Sequence, residues 1–155
     1  MRSKIETFSS VLIANRGEIA CRIIKAAKKC LLRTIAVYTK ADQDLPHVKL
    51  ADQSILLGDG PISESYLSIP KIINAALALN VEAIHPGYGF LSENADFAAA
   101  CEKNSIIFIG PKPKSIKVMG NKAEAKKLVS DAGFRCIPGC ELNEKINNEI
   151  SFFGK

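Results

Sequence analysis

Residues 11–38 read VLIANRGEIACRIIKAAKKCLLRTIAVY, and their pattern indicates the class of fold. VLIA at 11–14 is a continuous apolar run of strand length, typical of a strand covered on both faces of a parallel sheet. Asn15, with Glu18 three residues later, resembles a capping box, so we expect a helix to begin there with Asn15 as its cap. TIAVY at 34–38 reads as a second strand. The stretch therefore predicts a strand, helix, strand unit with a right-handed crossover.

The same alternation of strands and helices continues along the chain. Three more strands are predicted from apolar runs at 54–57, 82–84 and 106–109. The helices between and after them have predicted caps at Ser68, at Ser92 or Asn94, and at Asn121, with Gly133 closing the last. Alternation at these lengths predicts an α/β fold, an open doubly wound parallel sheet of about five strands.

The domain organisation follows from where this alternation stops. We expect one domain over residues 11–139, preceded by an N-terminal extension at 1–10. From residue 140 the chain carries asparagines, charges and a late Phe-Phe pair, without a clear strand or cap. We interpret 140–155 as a divergent short tail, either a surface helix or a disordered segment, and expect no second domain there.

The net charge of +5 comes from one segment of the chain. Residues 111–135 hold seven basic and two acidic side chains, and the rest of the sequence is balanced. Such a segment is usually a solvated helix face, with an anion site as the less common alternative. No aromatic residue interleaves with the lysines before Phe134, so we expect no nucleic-acid partner.

Cysteine usage and hydropathy bear on compartment. The five cysteines, at 21, 30, 101, 136 and 140, form no C-x-x-C pair, and the two histidines are too distant for a zinc spacing. We interpret this as a reducing compartment. No apolar run approaches the roughly 20 residues of a membrane span, and the first ten residues lack a signal-peptide core. The expected location is the cytoplasm, or the mitochondrial matrix in a eukaryote.

The loops that follow the strands are the candidate ligand site, because open α/β sheets bind ligands at the carboxyl ends of their strands. The first strand ends in Asn15-Arg16-Gly17 and the fourth in the run HPGYGF at 85–90. A dinucleotide fingerprint needs three glycines in the first turn, and this turn has only Gly17. A phosphate loop ending in G-K-[ST] is missing as well. The site is therefore of another kind.

Three charged or titratable residues near these loops each have two interpretations. His85 is either a hydrogen-bonded structural histidine or a catalyst. Arg16 either pairs with a nearby acid or presents its guanidinium to an anion, and its place at a helix N-terminus favours the anion. Lys122 opens a helix at the end where the macrodipole disfavours a cation, so it either faces an anionic ligand or extends into water.

Five longer motifs occur in one order and spacing: IANRGEIACRII, SYLSI, HPGYGFLSENADFA, IFIGP and MGNKAEAKKL. Together they resemble the opening domain of biotin carboxylase, and more narrowly the biotin-carboxylase subunit of acyl-CoA carboxylases of the methylcrotonyl-CoA or propionyl-CoA type. The similarity runs from about Val11 to Gly139. It implies the small Rossmann-like domain that precedes an ATP-grasp domain.

The resemblance also implies a chemistry. Enzymes of this family use ATP and Mg²⁺ to activate bicarbonate as carboxyphosphate and then carboxylate biotin on a carrier domain. By this resemblance Lys122 lies against the ATP phosphates, and Tyr88 and Gly89 belong to the loop that lines the biotin and bicarbonate region. The residues expected to line the same pocket are Arg16, Gly17, His85, Gly87 and Phe90. We therefore expect Arg16, Tyr88 and Lys122 to share one pocket.

Two departures from the family pattern limit what this chain is expected to do. Asn121 stands where the family usually has Asp before the lysine, although Asn still caps a helix. The family's ATP lid, metal-binding acids, catalytic base and biotin-facing arginine come later in its chains, and none is found at 139–155. We expect no catalytic residue and no metal site in this chain, and no catalysis by the chain alone.

Three functional hypotheses remain open at this point. The first is the N-terminal portion of a biotin carboxylase, partnered by an ATP-grasp half or a complete carboxylase and by a biotin carrier domain. The second is a non-catalytic binding or regulatory module that associates with a complete carboxylase. The third is another ATP-grasp relative such as carbamoyl-phosphate synthetase, which the run HPGYGFLSEN disfavours.

Overall fold

The structure is a computed structural model that describes residues 7–137. Its strands are β1 (Ser10–Ile13), β2 (Arg33–Thr39), β3 (Gln53–Gly58), β4 (Ala83–His85) and β5 (Ile107–Phe108). Its α-helices are α1 (Gly17–Lys29), α2 (Pro46–Leu50), α3 (Ile69–Ala78), α4 (Ala95–Lys103), α5 (Pro113–Gly120) and α6 (Lys122–Asp131). The predicted tail at 140–155 and Cys140 lie outside the described residues.

The five strands form one parallel sheet in the order β3-β2-β1-β4-β5. β1 lies at the centre, where Leu12 is opposite both Ile35 of β2 and Ile84 of β4. The predicted α/β class, the parallel pairing and the strand number are confirmed. Each strand boundary differs from its prediction by one residue, as is usual at element ends.

Apolar residues cover both faces of the sheet, which explains why VLIA shows no alternation. On one face Leu12 and Ile84 pack in a core with the inward sides of α3 and α4. On the other face Val11 and Ile13 pack against Ile24 and its neighbours in α1. β1 is buried along its whole length, so its carboxyl end is held at a fixed place in the fold.

The helix starts correct one prediction and confirm two. Asn15 does not cap α1, because Arg16 occupies the cap position and its side chain makes no capping bond. Asn94 caps α4 and Asn121 caps α6, each accepting backbone N–H groups with its side-chain oxygen. Ser68 stands at the cap position of α3 without a side-chain bond. Helices α2 and α5 were not predicted from the sequence.

The described chain divides within α5 into two compact units, one up to Lys117 and one from Val118. The first unit holds the whole sheet. The second holds α6, which begins at Lys122 and has no buried residue. Gly133 follows α6 with a left-handed φ of +86°, as predicted for a helix stop.

Two expectations about compartment can be compared with the described residues. The cysteines among residues 7–137 are free thiols, at positions 21, 30, 101 and 136. Within the same range no helix has both the length and the apolar character that a membrane crossing requires.

Candidate functional site

The candidate site lies at the carboxyl ends of β1 and β4. In the strand order β3-β2-β1-β4-β5 the chain moves outward from β1 to β3 and then crosses back to β4, so the topology switches between β1 and β4. Open α/β sheets bind ligands in the crevice at such a switch point. The loops that the sequence singled out, 15–17 and 85–90, meet at this crevice.

The side chain of Asn15 joins the two loops. Its Nδ2 donates to the backbone oxygen of Pro86 at 3.0 Å and to that of Tyr88 at 2.9 Å. Its Oδ1 accepts the backbone N–H of Arg16 at 2.9 Å. Asn15 is only 4% exposed, so these bonds replace all contact of the amide with water. This is why Asn15 is not free to cap α1.

Two glycines of the loop adopt left-handed backbone conformations for different reasons. Gly87 has a φ of +71°, and a Cβ there would lie 2.5 Å from Nδ2 of Asn15. Gly89 has a φ of +68°, yet a Cβ there would have no atom within 4 Å. Gly87 is therefore required by its conformation and by the close approach of Asn15, whereas Gly89 is required by conformation alone.

His85, the last residue of β4, stabilises the turn of the same loop. Its Nδ1 accepts the backbone N–H of Gly87 at 3.0 Å. Burial lowers the pKa of His85 below its ordinary value, which favours the neutral ring needed for an accepting nitrogen. The contact fits the structural interpretation of His85, since the other interpretation requires a substrate.

Phe90 ends the loop in a left-handed conformation with a φ of +43°, which is unusual for a residue with a side chain. Its ring stacks on the buried ring of Tyr66, with centroids 5.2 Å apart and planes 6° from parallel. The guanidinium carbon of Arg16 lies 5.7 Å from the Tyr66 centroid and 5.9 Å from the Phe90 centroid, within cation–π range. These contacts hold the far end of the loop.

Asp42 provides the negative charge of the site. Its carboxylate accepts hydrogen bonds from the Tyr66 hydroxyl at 2.7 Å and the Thr39 hydroxyl at 2.9 Å, and lies 3.4 Å from Nη1 of Arg16. Burial alone would raise the pKa of Asp42, but these hydrogen bonds and the Arg16 charge outweigh it and hold the pKa below its ordinary value. Asp42 is therefore ionised at neutral pH and balances Arg16.

Arg16 thus fulfils one of its two interpretations. It pairs with an acid, Asp42, and its side chain is still 42% exposed. The second interpretation, recognition of an anionic ligand, stays a prediction. Gly17, with a φ of +59°, begins α1 directly after it.

His47 is a buried polar residue beside this charge pair. It is fully buried in α2, and neither ring nitrogen has a hydrogen bond of good geometry among the described residues. Burial lowers the pKa of His47, and the Arg16 charge acts in the same direction, while the Val37 backbone and Asp42 oppose the shift. The ring is therefore neutral at pH 7 and adds no charge to the site.

Tyr88 is the most exposed large side chain of the loop. Its carbonyl is held by Asn15, whereas its side chain is 80% exposed. Tyr88, His85 and Gly87 border a groove of about 420 Å³ next to α1. The apolar residues that form the rest of this groove include Ile19, Ile23, Ala26, Leu32 and Ile109. The loop therefore displays an aromatic ring beside an apolar surface.

Lys122 belongs to the second unit. It is the first residue of α6, and Oδ1 of Asn121 caps that helix by accepting from Ala123 and Glu124. The expected helix start is confirmed, and the role of Lys122 toward phosphate and its place in a pocket shared with Arg16 and Tyr88 stay predictions.

Sequence reasoning missed several residues of the site and one of its contacts. Asp42 and the two hydroxyl residues that donate to it, Thr39 and Tyr66, form a cluster that we call the Asp42 cluster. None of the three was predicted as a site residue, and Asn15 was predicted as a helix cap. A signal for Thr39 and Asp42 did exist, because both follow the second predicted strand at the same edge of the sheet. The Tyr66 contact is formed between distant parts of the chain and had no local signal.

The sequence analysis predicts no metal site in this chain. Among residues 7–137 no group of three or more His, Cys, Asp or Glu side chains is arranged to hold a metal ion. Because Mg²⁺ is often held by one or two carboxylates together with substrate phosphates, the expectation that this chain has no metal site stays a prediction.

Comparison with known proteins gives one family. The family described as "Biotin carboxylase, N-terminal domain" matches residues 7–116. Biotin carboxylase from Allochromatium vinosum is 53% identical over 131 residues, which are 84% of this chain and 29% of that protein. The mitochondrial methylcrotonoyl-CoA carboxylase subunit alpha of Dictyostelium discoideum is 52% identical, with 88% and 20% covered.

Solved structures agree with the sequence matches. The biotin carboxylase domain dimer of Hydrogenobacter thermophilus 2-oxoglutarate carboxylase, in complex with MgADP, ADP and bicarbonate, is 42% identical with a TM-score of 0.88. The match covers 96% of this chain and 33% of that one. The chain thus spans between a fifth and a third of the length of these three relatives.

Proposed function

This chain belongs to the family of biotin carboxylase N-terminal domains, and from that premise we propose that it supplies one wall of a biotin carboxylase active site. The complete activity is the ATP- and bicarbonate-dependent carboxylation of biotin within an acyl-CoA carboxylase. The observation that carries the proposal is the meeting of loops 15–17 and 85–90 at the switch point of the sheet, in a chain about half identical to biotin carboxylases.

The proposed role of the loop is to bind biotin and bicarbonate. Tyr88 and Gly89 would contact this region, with Arg16, Gly17, His85 and Gly87 lining it. The groove beside Tyr88 is mostly apolar, which suits the ring system of biotin. The Arg16 guanidinium pairs with Asp42 but is still 42% exposed, so it can donate hydrogen bonds to bicarbonate. The described residues would bind and orient these molecules.

We propose a residue of this chain that binds ATP, but none that binds its metal ion. Lys122, exposed at the start of α6, is the described residue proposed to contact ATP phosphates, since an ammonium can pair with them as a point charge. ATP with Mg²⁺ would supply the activated form of bicarbonate. No group of three or more potential metal ligands is found among residues 7–137, and we assign no step of this chain to the metal.

We further propose that the 155-residue chain does not carboxylate biotin alone and acts with an ATP-grasp half, or with a complete carboxylase, and a biotin carrier domain. Relatives that include a multifunctional pyruvate carboxylase and a single-chain, multi-domain long-chain acyl-CoA carboxylase support this larger setting. The proposed location is the cytoplasm, or the mitochondrial matrix in a eukaryote.

Reconstitution tests this function. The chain is assayed for ATP hydrolysis dependent on bicarbonate and free biotin, alone and with a purified ATP-grasp half of a biotin carboxylase. We expect no hydrolysis above background alone and clear hydrolysis with the partner. Turnover by the chain alone would contradict the division of roles. Association with a complete carboxylase that lowers its rate would instead support the regulatory alternative.

Two substitutions in the reconstituted enzyme test the assigned residues. Tyr88→Ala is expected to raise KM for biotin, and Lys122→Ala to raise KM for ATP, each by about tenfold for the loss of roughly 1.4 kcal/mol of binding. Lys114→Ala serves as a matched control for a lysine outside the proposed site. Unchanged kinetics in both test variants would remove these assignments.

A further inference from the structure

We propose that Asn15 is a positioning residue that builds the Tyr88 loop into its final shape before any ligand arrives. The claim about loop order stands on the contacts within this chain, and only its kinetic consequence rests on the proposed function.

The Asn15 amide has the two donors and the acceptor that the neighbouring backbone groups require. Both N–H groups of Nδ2 are used, one on Pro86 and one on Tyr88, while Oδ1 accepts from Arg16. An aspartate of the same shape has no hydrogen to donate, and it would place a carboxylate against two carbonyl oxygens. Serine is too short to reach both carbonyls. Only an amide at this distance satisfies all three groups.

The loop backbone packs closely around the Asn15 side chain. A Cβ at Gly87 would lie 2.5 Å from Nδ2, 2.9 Å from Cβ and 2.9 Å from Cγ of Asn15. The loop backbone therefore packs directly against the amide. Gly89, two residues later, has open space at the same position, so the close approach is specific to Gly87.

The other end of the loop is held by Phe90. Its ring stacks on Tyr66 and lies beside the guanidinium of Arg16, which forms an ion pair with Asp42. Tyr88 therefore lies between two fixed points although its side chain is 80% exposed. Exposed loops that contain glycine are usually mobile because they bury little surface. Here the hydrogen bonds from the buried Asn15 amide hold the loop backbone in place.

Backbone ¹⁵N relaxation of the full 155-residue chain tests the proposal. In the wild type we expect order parameters near 0.85 at Gly87, Tyr88 and Gly89, the value of rigid backbone. In Asn15→Asp we expect them to fall below about 0.6, the range of flexible backbone, while Ile13 and Ile84 keep their values. Low order parameters for the loop in the wild type would overturn the proposal, and so would an unchanged loop in a folded Asn15→Asp.

Asn94→Asp is the matched control. Asn94 caps α4, and among the described residues its side chain acts through its oxygen, which accepts from the backbone N–H of Phe97 at 2.8 Å. Aspartate keeps that oxygen, so this variant should leave both loop and fold unchanged. If Asn15→Asp does not fold, Asn15→Ser replaces it, because serine keeps a small polar side chain but loses at least one donor. The same fall in loop order is expected.

The kinetic arm separates this inference from the proposed function. In the reconstituted carboxylase, Asn15→Ser should raise KM for biotin severalfold while KM for ATP stays within twofold. An equal rise in both constants would contradict a positioning role for the loop. If the reconstituted enzyme shows no carboxylation at all, the proposed function fails, and the relaxation result still decides the role of Asn15.

Discussion

The two regions that carry the predicted site residues are built differently. In the first unit, the loop at 85–90 is held by the buried amide of Asn15, by the stack of Phe90 on Tyr66, and by Arg16, which pairs with the buried carboxylate of Asp42. In the second unit, α6 presents Lys122 from a helix with no buried residue, and Leu128 and Phe134 are more than half exposed. The defined contact at its start is the Asn121 cap.

This difference shows where each predicted role can be tested. The shape of the Tyr88 loop is determined by contacts within the chain, so mutations there should change stability and local order in the isolated protein. The role of Lys122 concerns a ligand, so it is best tested in the reconstituted enzyme.

The largest effect is expected from the two loop glycines, which should differ from each other. Gly87→Ala should lower the free energy of unfolding by about 3–5 kcal/mol, because it strains a left-handed residue and displaces the buried Asn15 amide. Gly89→Ala should cost only about 1–2 kcal/mol, since the strain acts there without a clash. Urea denaturation of both variants measures the difference, and equal costs would contradict the close approach.

A smaller effect is expected at the Asp42 cluster. Tyr66→Phe removes a 2.7 Å hydrogen bond to the buried Asp42 carboxylate and should cost about 2 kcal/mol, the range for bonds to charged groups. Tyr38→Phe on β2 is the control and should stay within about 0.5 kcal/mol. Both values come from denaturant unfolding. A neutral Tyr66→Phe would show that Asp42 does not depend on this hydroxyl.

In the second unit the cap of α6 should matter only locally. Asn121→Ala should destabilise the start of α6 by about 1 kcal/mol, the usual value of a lost cap. Amide hydrogen exchange in α6 should then be about fivefold faster, while exchange at Ile24 in α1 stays unchanged. Asn121→Asp, the residue usual in the family, should keep the cap and the wild-type rates. Faster exchange in Asn121→Asp would argue against the cap.

The smallest effect is expected at a surface pair far from the loop. Asp52 accepts from Lys28 at 2.8 Å and from Thr34, and these bonds lower its pKa to about 2 from 3.8. A lowered folded-state pKa adds stability above about pH 4 that is lost as the pH falls toward 2. Because Asp52 is 42% exposed, its contribution is only about 0.5–1 kcal/mol. In urea denaturation, Asp52→Asn should show this deficit at pH 7 and a smaller one at pH 2, where the folded-state carboxyl is partly protonated.

The sheet could be predicted from the sequence because its information is local. Apolar runs of strand length, and helices with polar caps between them, give the α/β class and five parallel strands, and Asn94 and Asn121 cap the helices as predicted. The short helix α2 was missed because its five residues carry no apolar period.

The details of the site could not be predicted because they depend on contacts between distant residues. Asn15 fits a cap motif, and only the nearness of Pro86 and Tyr88 in the folded sheet gives its amide better partners. The stack of Phe90 on Tyr66 joins residues separated by a helix and a strand. Local patterns locate the edge of the sheet where a site forms, whereas tertiary contacts decide which side chains shape it.

A double-mutant cycle between Asn15→Ala and Gly87→Ala tests most directly whether the Asn15 amide shapes the Tyr88 loop. If the two residues form one contact, Gly87→Ala already disrupts the amide, and adding Asn15→Ala should cost little more. Unfolding free energies of the wild type, both single variants and the double variant should then give an interaction energy of at least about 1 kcal/mol. Costs that add within about 0.5 kcal/mol would show that the loop takes its shape without Asn15 and would contradict the account.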